Sequence, residues 1–571
     1  MTGRICGMKI VNLSPNLKGM IRKIRKRLLV FMATIAILFS GIYASLPKDN
    51  FFEISKNLEI FATLYRELNL FYVDETQPGE LMKTGIDAML ASLDPYTNYI
   101  TESDIEDFRF MTTGQYGGIG SLIRAVGDEI YISEPYEGFP AQETGLKAGD
   151  RILSVDGKSV DGKDQEEISA MLKGQSGTSV RVRVERAGEA IDFEIDRKEI
   201  KIPDVPYYGM IDDEVGYIRL TSFTRSASRE VKSAFKELKT DSGMKKLVFD
   251  LRGNGGGLLS EAVNIVNIFV PKGQEVVRTK GRVSDWERPH VTMNEPIDLE
   301  IPLVILVDEG SASASEIVAG TIQDLDRGIV VGNRTFGKGL VQETRNLQYN
   351  SRLKLTVAKY YIPSGRCIQK LDYSHKGMEG KVDEVPDSLL KVFHTRNGRE
   401  VIDGRGIYPD IEVDDRELPQ VIGSLLEESL FFTYATYFAE RNPSIPEARV
   451  FTLDEAQYQD FVDYLDGKEY HYTTDTEKDL EDLMRTAQRE KYFELAKEEF
   501  ENLQEKLIQK KNKDLFLFKN DVQMILENEI VSRYYFQKGR VEASLSSDEA
   551  IASALEVLND SQRYKQILMP A

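Results

Sequence analysis

A chain of 571 residues with 41% hydrophobic content is long enough for several globular domains. Its formal net charge of −20 argues against a general nucleic-acid binder, which needs a basic face. Two cysteines, Cys6 and Cys367, make no disulfide framework, and the four histidines show neither a His-Glu-x-x-His pair nor close spacing, so neither a metal nor an organic cofactor is expected.

Residues 1–47 stand apart. They hold eight Lys or Arg and no Asp or Glu, so the remainder carries −28 (−20 minus +8). Residues 18–27 are strongly basic, and Leu28–Leu46 is an uncharged, mostly apolar run of 19 residues. That length spans a bilayer, and the positive-inside rule leaves everything after Pro47 outside the cytoplasm. The stretch 28–46 reads as an inner-membrane anchor, with a cleaved signal peptide ending near Ala44 as the alternative.

Residues 48–113 form a helical region. Ile54, Leu58, Phe61, Leu64 and Leu68 recur at helical spacing within Phe51–Tyr72. Pro78–Leu93 predicts a second helix, closed by the turn Leu93-Asp94-Pro95-Tyr96. Residues 114–200 are a separate module. It opens with Tyr116-Gly117-Gly118-Ile119-Gly120, places a strand at Glu129–Ser133 and a short helix at Ile168–Leu172, and closes on the alternating strand Val180–Glu185.

Strands and helices alternate through residues 201–416: strand Val215–Thr221, helix Ala227–Leu238, strand Lys246–Leu251, helix Leu258–Phe269, strand Pro302–Asp308 and helix Ile317–Gln323. This βαβ order implies a largely parallel sheet. The turn Arg252-Gly253-Asn254-Gly255-Gly256-Gly257 lacks the Gly-Lys-Ser/Thr ending of a phosphate loop, so it reads as a backbone turn with exposed N–H groups. Lys354–Gln369 predicts a further strand, ended by the turn Pro363-Ser364-Gly365. Residues 417–571 are helical and highly charged, with helices expected at Val421–Ala439, Asp454–Leu465, Glu477–Lys510 and Asp514–Gln537. They carry no catalytic constellation, and a lid, a homo-oligomer contact and an adaptor-docking arm are all open roles.

The chemistry concentrates between Gly310 and Gln342. Gly310-Ser-Ala-Ser-Ala-Ser-Glu316 follows a strand and enters a helix, so a hydroxyl there sits near the positive helix end, where developing negative charge is favoured. Lys338 lies between two glycines, and Gln342 follows it by four residues. A serine and a lysine together suggest a hydrolytic dyad, with a neutral lysine taking the serine proton. The same serines also make a good helix cap, and spacing does not choose among Ser311, Ser313 and Ser315.

The segments Ser311–Ile317 and Thr335–Gln342 resemble those of the carboxyl-terminal processing peptidases, or tail-specific proteases. The resemblance runs from about Phe51 to Val413 and includes Ser92-Leu-Asp-Pro-Tyr96 and Gly406–Ile411. It implies Ser313 as nucleophile, Lys338 as general base and Gln342 as the group that orients the lysine. It implies an oxyanion hole from the N–H groups of Ala314 and Gly256, with the register inside Gly255–Gly257 open by one. Residues 114–200 resemble a PDZ domain, implying that Gly117, Gly118, Ile119 and Gly120 receive the terminal carboxylate of a peptide. The expected architecture is a multi-domain α/β chain: a helical N-terminal region, a PDZ domain, a crotonase/ClpP-like βαβ protease core and a C-terminal helical extension. The expected activity is serine endopeptidase action on envelope proteins with free C-termini. An inactive PDZ scaffold and a crotonase-like acyl-CoA enzyme are the alternatives.

Overall fold

The computed structural model describes residues 48–376, 382–413, 418–509 and 511–569, so the expected anchor at 28–46 lies outside the described residues. Among them, no helix is long and apolar enough to cross a membrane. The chain divides into two compact units, residues 1–89 and 90–571.

In the first unit, α1 (Lys48–Phe71) keeps the predicted apolar stripe, and Leu58 is still 63% exposed. α2 (Pro78–Ala91) begins with proline, whose missing N–H costs nothing at a helix start. The Tyr65 hydroxyl donates to the Pro78 carbonyl at 2.6 Å.

The second unit opens with β1 (Asn98–Ile100) and α3 (Ile105–Thr113). β2 (Gln115–Gly118) follows, then β3 (Ser121–Val126), β4 (Glu129–Pro135), β5 (Arg151–Val155), α4 (Gln165–Leu172), β6 (Ser179–Arg186) and β7 (Glu189–Asp196). The last five strands form one sheet in the order β3-β4-β5-β6-β7, with β3 at its edge. Val180, Val182 and Val184 point inward while Ser179, Arg181 and Arg183 are exposed, which is the alternation of a half-buried strand. Asp164 caps α4 and shares a capping box with Glu167. β8 (Lys198–Lys201) pairs with β2.

The protease core is built on β9 (Tyr207–Met210), β10 (Val215–Arg219), α5 (Ala227–Thr240), β11 (Lys246–Asp250) and α6 (Leu259–Val266). The hairpin β12 (Glu275–Gly281) and β13 (Arg288–Val291) comes next. β14 (Leu303–Val307), α7 (Ala314–Asp324) and β15 (Ile329–Gly332) complete the alternation. β16 (Leu340–Asn346), β17 (Arg352–Tyr361) and β18 (Ile411–Glu412) follow. The central sheet runs β9-β10-β11-β14-β15-β18 and is parallel from β10 onward. A second sheet runs β1-β17-β12-β13, with β16 also on β17.

A parallel sheet needs cover on both faces. Leu247, Phe249, Leu303 and Ile305 pack with α5, α6 and α7, while Val248, Val304, Leu306 and Val331 face the other way. That second face is covered by the C-terminal extension. Its helices are α8 (Gln420–Glu427), α9 (Leu430–Arg441), α10 (Glu455–Tyr464), α11 (Asp475–Glu490), α12 (Lys497–Gln509), α13 (Lys511–Leu517), α14 (Lys519–Ser544), α15 (Glu549–Asn559) and α16 (Ser561–Leu568). Ile551, Ala554, Val557 and Leu558 of α15 are buried against the sheet.

Three expected helices differ in the structure. Val421–Ala439 is broken into α8 and α9 where Ser429 turns left-handed (φ 56°). Glu477–Lys510 is broken because Lys491 turns left-handed (φ 65°) and Tyr492 N–H returns to the Ala487 carbonyl at 2.8 Å, a Schellman ending without glycine. Asp514–Gln537 is split at Phe518, and α14 kinks at Phe536 (φ 53°).

Candidate active site

Asp308 follows β14 and ties two turns together, since its Oδ1 accepts from the N–H groups of Gly253 (2.8 Å) and Gly310 (3.0 Å). The three serines then separate. Ser311 is fully buried, with its hydroxyl 2.9 Å from the Leu251 carbonyl, and Ser315 is fully buried, donating to the Asn254 carbonyl at 2.8 Å. Ser313 is partly exposed, and its hydroxyl donates to no carbonyl among the described residues. Its backbone sits at φ 56°, ψ −109°, a strained conformation of the kind that persists where function holds it. α7 begins at the next residue.

Glu316 joins this turn to the lysine loop. Its fully buried carboxylate accepts from Ser313 N–H, Gly337 N–H and Lys338 N–H, each at 2.8 Å, and from the Thr335 hydroxyl at 2.6 Å. Burial pushes its pKa up, and the four donors pull the other way. The Tyr360 hydroxyl makes a second tie, donating to the Ser313 carbonyl at 3.0 Å and also contacting the Lys338 carbonyl.

Lys338 lies with its Nζ 4.1 Å from the centre of the Tyr96 ring. Burial is the main cause that lowers its pKa to about 8, and the neighbouring Lys354 ammonium adds to the drop. Glu316 and Asp94 are both close enough to favour the charged amine, and burial outweighs them. Phe336 is 45% exposed, so Tyr96 supplies the ring instead.

Gln342 does not meet Lys338. Its amide nitrogen donates to the Leu340 carbonyl (3.3 Å) and to the Thr356 hydroxyl (3.4 Å). The pairing of β16 with β17 shifts register between Val341 and Gln342, and such a bulge resets the alternation on which four-residue spacing relies.

The two expected oxyanion donors fare differently. Ala314 N–H forms no hydrogen bond among the described residues. Gly256 N–H is taken by the Asn254 side-chain oxygen at 2.9 Å. What Gly256 provides is space: a Cβ there would lie 2.9 Å from both Ala314 N and Ser313 Cβ, and its φ of 97° suits glycine. Gly257 bridges Phe223 in parallel, through bonds made by the flanking Gly256 carbonyl and Leu258 N–H, so its own N–H points away from Phe223.

The stretch from Gly117 to Gly120 is not an open loop. Gly117 and Gly118 pair with Glu199 and Lys198 of β8. The Gly117 carbonyl accepts from Gly174 N–H, and a Cβ on Gly117 would lie 2.2 Å from the Gly174 oxygen. Ile119 and Gly120 are buried, their carbonyls taken by Ala141 and Tyr136 N–H groups. The accessible feature of this sheet is the edge of β3 beside α4, where Ala125 N–H donates to the Gln165 side chain at 3.3 Å. Among the described residues, no group of three or more His, Cys, Asp or Glu is placed to hold a metal ion.

Tyr96, Glu316, Lys354 and Asn254 are the site residues that the sequence reading did not single out. Tyr96 and Glu316 each stood inside a recognised segment, Glu316 at the N3 position of a helix, which were the available signals.

Residues 214–375 match the model of peptidase family S41, residues 131–186 that of the PDZ domain, and residues 421–558 that of the C-terminal helical domain of probable PDZ-proteases. The carboxy-terminal-processing protease of Bartonella bacilliformis is 35% identical over 358 residues, 61% of this chain and 81% of that protein. The chain belongs to the carboxy-terminal-processing proteases. The probable CtpA-like serine protease of Staphylococcus aureus strain N315 is 38% identical over 315 residues, and the chain spans 62% of its length. A solved structure of the photosystem II D1 C-terminal processing protease is 28% identical, covering 63% of this chain and 93% of that one at a TM-score of 0.35. The processing-protease chain thus combines a PDZ domain, an S41 core and a C-terminal helical domain.

Proposed function

We propose that the protein is a serine endopeptidase of the cell envelope, acting on protein or peptide substrates that it engages by their free C-termini. Ser313 attacks the peptide carbonyl. Lys338, neutral, takes its proton and later protonates the leaving amine. The N–H of Ala314 stabilises the oxyanion together with that of Gly257, one residue beyond the expected Gly256. Each such donor contributes about 3–4 kcal/mol in comparable sites. Gln342 acts on the lysine only indirectly, through the bulged strand that follows the lysine loop.

The observation that carries this reading is a partly exposed hydroxyl on a strained turn, coupled through buried Glu316 to the loop of a lysine whose pKa falls to about 8. Support for the substrate class comes from the relatives' designation as carboxy-terminal-processing proteases and from the PDZ match. A substrate tail adds as a strand to the free edge of β3, displacing the Gln165 side chain from Ala125. Beside Gln342, a cavity of about 660 Å³ lined by Leu259, Val263 and Val341 together with Arg288, His290 and Glu343 offers room for a substrate side chain. The run Leu28–Leu46 anchors the protein in the inner membrane, with the protease on the outer side.

A serine-directed fluorophosphonate probe tests the nucleophile. Folded wild-type protein should be labelled, peptide mapping should find the adduct on Ser313, and Ser313→Ala should take up no label. An unlabelled folded wild type, or an adduct on another serine, would overturn the assignment and favour an inactive scaffold.

A further inference from the structure

We infer that Asp548, in the C-terminal helical extension, is a positioning residue for the glycine loop of the active site and acts through Arg252. The inference rests on the reading of Ser313 as nucleophile and of the glycine loop as an oxyanion donor.

Arg252 starts that loop, two residues after Asp250 at the end of β11. Asp250 is completely buried and accepts from the Tyr217 hydroxyl (2.6 Å), from Arg252 N–H (2.9 Å), and from Nε and Nη2 of the Arg252 guanidinium (3.0 and 2.7 Å). One nitrogen of the fork, Nη1, points the other way and meets Asp548 Oδ2 at 2.8 Å. The side chains of Arg252 and Asp548 are only 21% and 18% exposed, so solvent screens the pair weakly. Asp250 already grips the planar guanidinium through Nε and Nη2, and Asp548 braces it from a second side, limiting how far that fork can tilt.

Asp548 is itself held firmly. It caps α15, with its Oδ1 accepting from Ile551 N–H at 3.0 Å, and the apolar face of that helix is cemented to the second face of the central sheet. A cavity of about 380 Å³ adjoins the pair, lined by Arg252, Asp308, Asn528, Ser547 and Asp548 among others. A guanidinium released from Asp548 therefore has room to swing away.

The consequence reaches Ser313 in a few bonds. From Arg252 the chain passes to Gly253, whose N–H is on Asp308, and to Asn254. The Asn254 carbonyl accepts from the N–H of Ala312, next to the nucleophile (3.0 Å), and from the hydroxyl of Ser315, two residues beyond it, and its side chain fixes Gly256. A small rotation at Arg252 thus moves the loop against the nucleophile turn, and displacements of about 1 Å at a reacting centre can cost ~100-fold in rate.

Asp548 has two separable jobs, capping a helix and pairing with Arg252, and substitutions split them. Asp548→Asn and Asp548→Ser retain a good cap but lose the charge; Asp548→Glu keeps the charge but caps poorly. Full-length variants should be compared by kcat and KM on an unstructured protein substrate, by the rate of fluorophosphonate labelling at Ser313, and by thermal midpoint. Expected is a kcat and labelling rate that fall roughly tenfold or more in Asn and Ser, with KM within about twofold and a midpoint close to wild type. Glu should retain more activity than Asn while melting lowest. Activities that track the melting order, or that stay at the wild-type level in every variant, would overturn the inference. A folded wild type that is not labelled at Ser313 would instead remove the reading of the site on which it rests.

Discussion

Lys338 is where opposing forces on one residue are most exposed. Burial and Lys354 lower its pKa from 10.5 to about 8, against Glu316, Asp94 and the π face of Tyr96, which favour the cation. A base works when deprotonated, so turnover should climb as pH rises through about 8. The depressed pKa also costs stability. Below pH 8 the folded state holds a buried charge that the unfolded chain holds in water, and the deficit disappears as pH rises from about 8 to 10.5. Lys338→Met should therefore be more stable than wild type at pH 7, by roughly 1–3 kcal/mol after allowing for partial exposure, with the gap closing near pH 10.5. Denaturant titrations at the two pH values check this, and a gap independent of pH would show that the amine is not desolvated. Ser313 and Lys338 were legible because their segments are contiguous and distinctive. Tyr96 and Glu316 were not legible in their roles, because one reaches Lys338 across 242 residues of chain (338 − 96) and the other acts through backbone N–H groups that no side-chain pattern advertises.

Among the elements, β14 shows what a run of residues can and cannot reveal. Leu-Val-Ile-Leu-Val announces a strand covered on both faces, and the structure bears this out, with every residue of β14 buried. Nothing in the run says which element covers the second face. That element is α15, which lies beyond Gln537, where the expected helices ended. Ile551→Ala should cost about 2–4 kcal/mol, read as a lowered denaturant midpoint with an unchanged slope; a loss under about 0.5 kcal/mol would mean that α15 is not part of the core. The βαβ order was legible from periodicity, but the hairpin β12–β13 and the bulge in β16 were not. Their register depends on pairing with β17, and that bulge is why Gln342 turns from Lys338.

Within the unit formed by residues 90–571, the extension grips two partners at once. Besides covering the sheet, it holds the PDZ domain: the Phe432 ring lies between the guanidinium groups of Arg124 (4.7 Å) and Arg533 (4.6 Å), and Thr436 packs on Gly149. Arg540 of α14 reaches Glu134 at 3.4 Å. The sequence left the role of the extension open because a charged amphipathic helix does not encode which surface it will cover. If substrate tails enter at β3, amidating a substrate's terminal carboxylate should raise KM or weaken activation while Ser313 still labels at the wild-type rate. Equal cleavage of amidated and free-tailed substrates would take the PDZ domain out of the mechanism.

The dyad itself is tested most directly by turnover of an unstructured protein substrate by Lys338→Arg, with circular dichroism to establish folding. Arginine keeps the positive charge and cannot deprotonate in a protein. The expected result is a folded enzyme as inactive as Ser313→Ala. A folded Lys338→Arg enzyme with near wild-type turnover would show that another group takes the serine proton, contradicting the assignment of Lys338 as the base.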